Sequence, residues 1–285
     1  MPGKRQTPTV RLRRLAAELR SLRASSGLTR DEVVERTGIN VATMYRIEHA
    51  RVRPQTRTLR TLLDLYGVEK DQQAELVGWL RDARERGWLH AYQSELPEQY
   101  MNFIGFEGEA ESAWNYESLF VPGQLQTEDY ARAVIRGGFP TAGQDEIEHR
   151  VEVRMGRQDI LRGDNPLKLW GIVDEAALRR QVGGQPVMRA QLRHLLDASE
   201  LPHVTFQVIP FDGGAHPGMA GSFIALQFAE EAIPAVIYVE SMAGELFLEH
   251  ESDVRRYKLM FDHLRAVAAS PDASRSLLGT LATEK

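Results

Sequence analysis

The sequence predicts two domains, an all-α domain followed by an α+β domain, from three observations. Charge is divided unevenly: residues 1–70 hold 15 Lys and Arg against 7 Asp and Glu, whereas the remaining residues hold 20 against 33. Short amphipathic segments separated by glycine fill the basic part, and strongly β-like segments occur only in the acidic part. A chain of 285 residues is long enough for two domains, each with its own core. We place the boundary between them, between residues 88 and 89, where the composition changes.

Composition excludes several classes of protein. The chain has no cysteine, so it has no disulfide, no thiol nucleophile and no Cys-ligated zinc. No apolar run is long enough to cross a bilayer, and the first ten residues lack the apolar stretch of a signal peptide. We therefore expect a soluble, cytoplasmic protein that does not contact a membrane.

The basic domain opens with two predicted helices. The run "TVRLRRLAAELRSLRASSG" repeats leucine at helical spacing and ends at Gly27, a residue suited to a left-handed cap. The next run, "LTRDEVVERTG", has Thr29 three residues before Glu32, the spacing of a capping box, and stops at Gly38.

Three more helices complete this domain. Asn40 is placed to cap a third helix, in which Met44 and Ile47 share one face. The second and third helices are short and joined through a glycine, which makes them a helix-turn-helix candidate. The runs "TRTLRTLLDLYG" and "DQQAELVGWLRDARERG" predict a fourth and a fifth helix, the last ending at Gly87.

A helix-turn-helix in a basic segment predicts binding to duplex DNA, although the same pattern also occurs in structural helix pairs. The first turn of the third helix would enter the major groove, so the candidates for base contacts are Asn40, Val41, Thr43 and Arg46. Residues at element ends or on the flank are candidates for phosphate contacts: Thr29, Arg30, Tyr45, Arg51, Arg53 and Arg57.

The stretch "GLTRDEVVERTGINVATMYRIEHARVRP" resembles the XRE family of lambda-repressor-type helix-turn-helix regulators, over about residues 10–70. The resemblance implies a five-helix lambda-repressor-like fold, and it implies that Glu48 pairs with Arg23 and does not face DNA. The family usually has Gln where this chain has Arg30. An arginine there can still meet a phosphate, but it does not provide the amide contact of Gln.

The acidic domain begins with helices. Thr127 is placed to cap a short helix that ends at Gly137-Gly138, and "QDEIEHRVEVRMGRQDILRG" predicts a longer one. The β-like run "LKLWGIV" leads into the helix "DEAALRRQVGG", and "VMRAQLRHLLDAS" is amphipathic.

Three further strand candidates follow, "VTFQVIP", "SFIALQFA" and "AVIYVES", and then a final helix, "SDVRRYKLMFDHLRAVAAS". The first two strands flank "PFDGGAHPGMAGSF", residues 210–223, which we name the glycine loop. We expect these two strands to form an antiparallel pair joined by this loop. The prediction is an α+β domain with a small, mostly antiparallel sheet, and parallel pairing through the helices stays open.

The glycine loop contains His216 and is not a phosphate cradle, because a strand and not a helix follows it. A stripe of Arg150, Arg154 and Arg157 would form either an ion-pair network with Asp174 and Glu175 or an anion pocket under the loop. We predict that these six residues line a ligand or partner surface. The eight histidines show no i, i+4 pair and no nucleophile motif occurs, so we expect no enzyme, no cofactor and no metal.

Several runs of the acidic domain, among them "VPGQLQTEDYARAV", "RMGRQDIL" and "QVIPFDGGAHPGMAGSF", resemble the C-terminal domain of actinobacterial XRE regulators of the WhiJ type. The resemblance covers most of residues 100–270. It implies a developmental or specialised-metabolism regulator, and it implies a small partner protein encoded nearby.

The sequence thus predicts a sequence-specific transcriptional regulator that binds a palindromic operator as a homodimer, because one short recognition helix reads few base pairs. The acidic domain would dimerise, sense an effector or dock a small partner. Two alternatives stay open: an antitoxin-like interaction module of a two-gene pair that binds DNA only for autoregulation, and an enzyme tethered to DNA.

Overall fold

The computed structural model describes residues 10–82, 92, 96–229 and 234–284. The chain divides into two compact units, and the division falls between Glu109 and Ala110. The boundary predicted between residues 88 and 89 lies outside the described residues and stays a prediction. No helix in the described ranges is long and apolar enough to cross a membrane.

The first unit is helical, as predicted. Its described helices are α1 (Val10–Ser25), α2 (Arg30–Thr37), α3 (Val41–Glu48), α4 (Thr56–Leu65), α5 (Lys70–Asp82) and α6 (Glu98–Glu107). The sequence predicted the first five, although the expected end of α5 at Gly87 falls outside the described residues. The sixth was not predicted.

Local signals define the helix-turn-helix. Thr29 and Glu32 form the capping box of α2, and Gly38 ends that helix with a φ of 69°, a conformation in which glycine has no steric penalty. Apolar side chains of α1 to α5 then pack into one core, which includes Leu19, Val33, Met44 and Leu62. Burial of these side chains holds α3 at a fixed angle to its neighbours.

The second unit is a mixed α+β domain. Its strands are β1 (Ser112–Glu117), β2 (Lys168–Asp174), β3 (Val204–Ile209), β4 (Phe223–Gln227), β5 (Val236–Ser241) and β6 (Gly244–Leu248). Its helices are α7 (Glu128–Gly138), α8 (Gln144–Gly156), α9 (Glu175–Arg179), α10 (Gln185–Ala198), α11 (Glu251–Val267) and α12 (Pro271–Glu284).

These strands form one sheet in the order β3-β2-β1-β4-β5-β6. The pairs β1–β2 and β2–β3 are parallel, because α7 to α10 return the chain to the same edge, and the other three pairs are antiparallel. The predicted α+β class is confirmed, with a mixed sheet in which antiparallel pairs are the majority.

The expected pairing of the two strands that flank the glycine loop is wrong. β3 pairs with β2, and β4 pairs with β1 and β5. The error came from β1, which was not recognised as a strand, because Asn115 and Glu117 interrupt its apolar pattern. Since β2 and β1 lie between the two strands, the glycine loop has to cross the carboxyl ends of both.

The two faces of the sheet differ. On one face, Tyr116, Ile172 and Phe223 pack with Phe261 of α11 in an apolar core. The opposite face carries Asn115 and Gly171, and the segment before a 3-10 turn (Gly123–Leu125) packs against it through Pro122. The outer edge of β3 is covered. The Val208 carbonyl accepts a hydrogen bond from the amide of Ala269, and the Val208 amide donates to the hydroxyl of Ser274.

Candidate functional site

Helix α3 presents an exposed face that begins at its first turn. Asn40 caps the helix, and its Oδ1 accepts a hydrogen bond of 2.9 Å from the amide of Ala42. This leaves its Nδ2 group to donate to a base or a phosphate. Val41 is 51% exposed, and Ala42 and Arg46 are exposed as well. Thr43 is half-buried.

Arg46 and Thr43 contact each other. The Arg46 guanidinium donates to Thr43 Oγ1 over 3.3 Å and to the carbonyl of Ala42 over 3.1 Å. Two of the four side chains predicted to contact bases therefore form one hydrogen-bonded polar group on α3.

A groove of about 760 Å³ runs along this face, and its lining residues are Arg30, Asn40, Val41, Ala42, Tyr45 and Arg46. Sequence reasoning missed Ala42, although its spacing to Tyr45, Arg46 and His49 is that of one helix face. A small apolar side chain at such a place can meet a thymine methyl group.

Tyr45 forms the centre of an aromatic and cationic cluster beside this groove. Its ring stacks on His49 with centroids 3.9 Å apart. The guanidinium carbons of Arg30 and Arg51 lie 5.5 and 5.4 Å from the Tyr45 centroid. Cation–π contacts of this kind hold the two arginines at the helix flank, where phosphates are met.

Glu48 is fully buried and joins three helices. Arg23 of α1 donates to it over 2.6 Å, which is the pair that the family resemblance implied, and Arg30 of α2 donates over 2.8 Å. Arg20 also donates to the Glu48 carbonyl. Arg30 is therefore both a candidate phosphate contact and part of the clamp on Glu48.

The other candidate phosphate contacts occupy separate elements. Thr29 is engaged in the capping box, and Arg53 donates to the Leu80 carbonyl of α5. Arg51 and Arg57 are exposed. Contacts of all these residues with DNA stay predictions.

In the second unit, two carboxylates at the end of β2 hold the glycine loop. His216 Nε2 lies 3.3 Å from Asp174 Oδ2, and the backbone amide of Phe211 donates to Glu175 over 2.9 Å. Glu175 also accepts from Arg179 over 2.6 Å. The loop is thus held near its start by Glu175 and near its middle by Asp174.

The middle of the loop lies against Tyr116. A Cβ on Gly218 would come within 2.3 Å of Tyr116 Cζ, so only glycine fits. The Tyr116 hydroxyl and His216 Nδ1 are both buried without a hydrogen-bond partner. Burial raises the pKa of Tyr116, which keeps its hydroxyl protonated.

The arginine stripe does not form the expected network with Asp174 and Glu175. Arg150 pairs with Glu146 at 2.9 Å, and Arg154 donates to Gln126 over 3.0 Å. Arg157 does not belong to α8 but begins a 3-10 turn (Arg157–Leu161) next to Gly123. The sequence misled here, because α8 ends at Gly156 and Arg157 does not continue the helical spacing of Arg150 and Arg154.

Three carboxylates, and not the arginine network, lie near the ends of strands β1, β5 and β6. Glu117 and Ser222 are hydrogen-bonded neighbours on β1 and at the start of β4, and Glu240 and Glu245 face each other across β5 and β6. Burial and the nearby Glu240 raise the pKa of Glu245 to about 7. Burial also raises the pKa of Glu117 to about 7, against the opposing influence of Ser222 and two arginines. Among the described residues, no group of His, Asp and Glu is arranged to hold a metal ion.

The geometry of α2 and α3 defines a helix-turn-helix protein, and residues 14–76 match the family described as "Helix-turn-helix domain". This is a class of DNA-binding domain. Residues 100–280 match the family described as "Domain of unknown function (DUF5753)", and the chain belongs to that family. No curated protein and no solved structure matches the chain at a significant level.

Proposed function

We propose that this protein is a sequence-specific transcriptional regulator that reads duplex DNA through α3. The observation that carries the proposal is the exposed first turn of α3 within a groove flanked by Arg30 and Arg46. The only acidic residue of α3, Glu48, is buried and does not lie on that exposed face. A positive, polar and partly apolar surface is what the major groove of DNA requires.

The finer parts of the proposal concern assembly. Two copies would bind a palindromic operator, since one helix of eight residues contacts only a few base pairs. The second unit would dimerise, respond to an effector or dock a partner. We also propose that it performs no catalysis, because the sequence has no nucleophile motif and the side chain of His216, a residue of the glycine loop, is buried.

The test is selection of genomic DNA fragments by the purified full-length protein, followed by affinity measurements at several salt concentrations. An inverted repeat bound far more tightly than random DNA, with half-sites about one helical turn apart, supports a dimeric regulator. Weak, strongly salt-dependent binding without a shared sequence contradicts it. Recovery of only the protein's own promoter would favour the antitoxin-like alternative.

A further inference from the structure

A groove of about 560 Å³ lies between the glycine loop and the outer face of α11. Pro217 of the loop forms one wall. The rest of the lining belongs to α11: Ser252, Arg255, Arg256, Leu259, Met260 and His263. These positions recur at helical spacing, so they share one face of the helix and extend over about three turns, or about 16 Å.

The groove presents apolar side chains to solvent. Leu259, at the centre of the α11 face, is 56% exposed. Met219 is 70% exposed and belongs to the same 3-10 turn as Pro217 (Pro217–Ala220), which packs against α11. Exposed apolar side chains rimmed by charged ones mark surfaces that bind another protein. A small ligand instead needs a pocket that encloses most of its surface, and this groove is too open to provide one.

The ionisable side chains that line the groove are all basic. They are Arg255, Arg256 and His263, and no carboxylate of the described residues joins them. After residue 70 the chain holds 20 Lys and Arg against 33 Asp and Glu, so composition does not account for this basic face.

The two arginines of the groove have only weak partners within α11. Arg255 pairs with Glu251 over 2.9 Å, and Arg256 pairs with Asp253 over 3.2 Å, with arginine side chains 68% and 61% exposed. Exposed pairs of this kind contribute little to stability. Carboxylates of a partner can therefore replace Glu251 and Asp253, and the positive face of the groove selects an acidic partner.

The loop side of the groove is held in place from beneath. His216 Nε2 lies 3.3 Å from Asp174 Oδ2, and Gly218 packs so closely on the ring of Tyr116 that no Cβ fits. Pro217 stands between these two fixed residues, and its own ring restricts the backbone. The wall is thus formed before a partner arrives, which reduces the loss of conformational entropy on binding.

We propose that this groove docks an acidic amphipathic helix of a partner protein. The apolar face of that helix would pack on Leu259, Pro217 and Met219. Its carboxylates would pair with Arg255 and Arg256. A groove of about three turns fits a helix with apolar residues at positions i, i+3, i+4 and i+7. The inference deepens the proposed function, on which it rests for the role of the partner, because it gives the second unit a docking surface.

The test is selection of random peptides of about 16 residues, displayed on phage, by the full-length protein without DNA. We expect the recovered peptides to be acidic, with apolar residues three and four positions apart, and synthetic copies to gain helix content on binding. Replacing the Asp and Glu residues of a recovered peptide with Asn and Gln should weaken its binding about tenfold, as measured by fluorescence anisotropy.

Two variants and a control make the test specific. Leu259→Glu changes an exposed side chain, so the protein should stay folded by circular dichroism while affinity falls about tenfold or more. Arg255→Glu combined with Arg256→Glu should abolish binding of the acidic peptide, and a copy of the peptide with Lys at its acidic positions should then bind. Leu201→Glu, at a 40% exposed leucine that does not line the groove, should leave affinity unchanged.

Several results would overturn the proposal. Recovery of no peptide, recovery of peptides that are not acidic, or binding that survives Leu259→Glu would refute the assigned groove. A dimer in light scattering that Leu259→Glu dissociates would show that a second copy occupies the groove. Retention by vesicles of anionic phospholipid that Leu259→Glu abolishes would assign the groove to a membrane surface. Since no DNA is present in these measurements, such failures are separate from a failure of the DNA-binding proposal.

Discussion

Arg23 Nε lies 2.6 Å from Oε1 of Glu48, and this carboxylate is completely buried although it belongs to α3, the helix that lines the proposed DNA-binding groove. With Arg30 on its second oxygen, Glu48 links α1, α2 and α3. The orientation of the exposed residues of α3 therefore depends on one buried charge and its two partners.

Replacing Glu48 with Ala should lower the free energy of unfolding of the first unit by about 2–3 kcal/mol, as measured by urea unfolding. Breaking a buried ion pair lowers the free energy of unfolding by more than this when the remaining charge stays buried. Here the two arginines retain some access to water, with side chains 19% and 34% exposed, which reduces the loss. Glu35→Ala, at an exposed position of α2, is the control and should change stability by less than about 0.5 kcal/mol. Equal effects of the two variants would mean that the clamp does not stabilise the unit.

Arg46→Ala should reduce discrimination between the operator and random DNA by about 1–3 kcal/mol, because it removes both its own contact and its bond to Thr43. Arg51→Ala should weaken both DNAs equally and flatten the dependence of affinity on salt. Competition binding at three salt concentrations measures both effects. Arg162→Ala, a 75% exposed arginine of the second unit, is the control. An equal loss on specific and random DNA for Arg46→Ala would contradict the base-reading role.

Gly218→Ala should destabilise the second unit by about 1–3 kcal/mol or more, because the new methyl group overlaps the buried ring of Tyr116. Gly213→Ala is a matched control in the same loop, since its Cβ would meet Ile209 at an ordinary 3.5 Å. Thermal unfolding and limited proteolysis of the glycine loop report the difference. If both variants were equally stable, the loop would not be packed on the sheet as described.

The two glutamates with a pKa near 7 predict how the stability of the second unit depends on pH. A carboxyl whose folded pKa lies above its unfolded value binds more protons in the native state, so stability falls as pH rises from about 4.5 through 7. We expect a lower urea midpoint at pH 8 than at pH 5.5.

Glu245→Gln should raise the midpoint at pH 8 and flatten its pH dependence, since the amide cannot ionise. Asp164→Asn, at an exposed position that forms no ion pair within the described part of the chain, serves as the control and should leave the slope unchanged. A pH profile of Glu245→Gln that matches the parent protein would refute the role of this carboxyl.

Local chemistry made much of the first unit predictable. The capping box of Thr29 and Glu32, the cap at Asn40 and the stop at Gly38 are all encoded within a few residues. The role of Ala42 was less accessible, because an alanine carries no chemical signal and only its place on the exposed face of α3 distinguishes it.

The sheet was predictable only in part. The sequence predicted β2, β3, β4 and β5 from their apolar residues, whereas it did not predict β6 or β1, whose apolar pattern is interrupted by Asn115 and Glu117. A strand with polar residues at inward-facing positions breaks the pattern by which strands are recognised. The wrong pairing across the glycine loop followed directly from this omission.

By itself the sequence determined most of the helices and several of their caps, but not α6 or α12, and it determined the basic first unit and the acidic second one, because these depend on neighbouring residues and on composition. Only the tertiary structure decided that β1 lies between β2 and β4, that His216 meets Asp174, and that Asn115 is completely buried. Strand order and buried polar contacts join residues far apart in the chain, and no local propensity specifies such pairs.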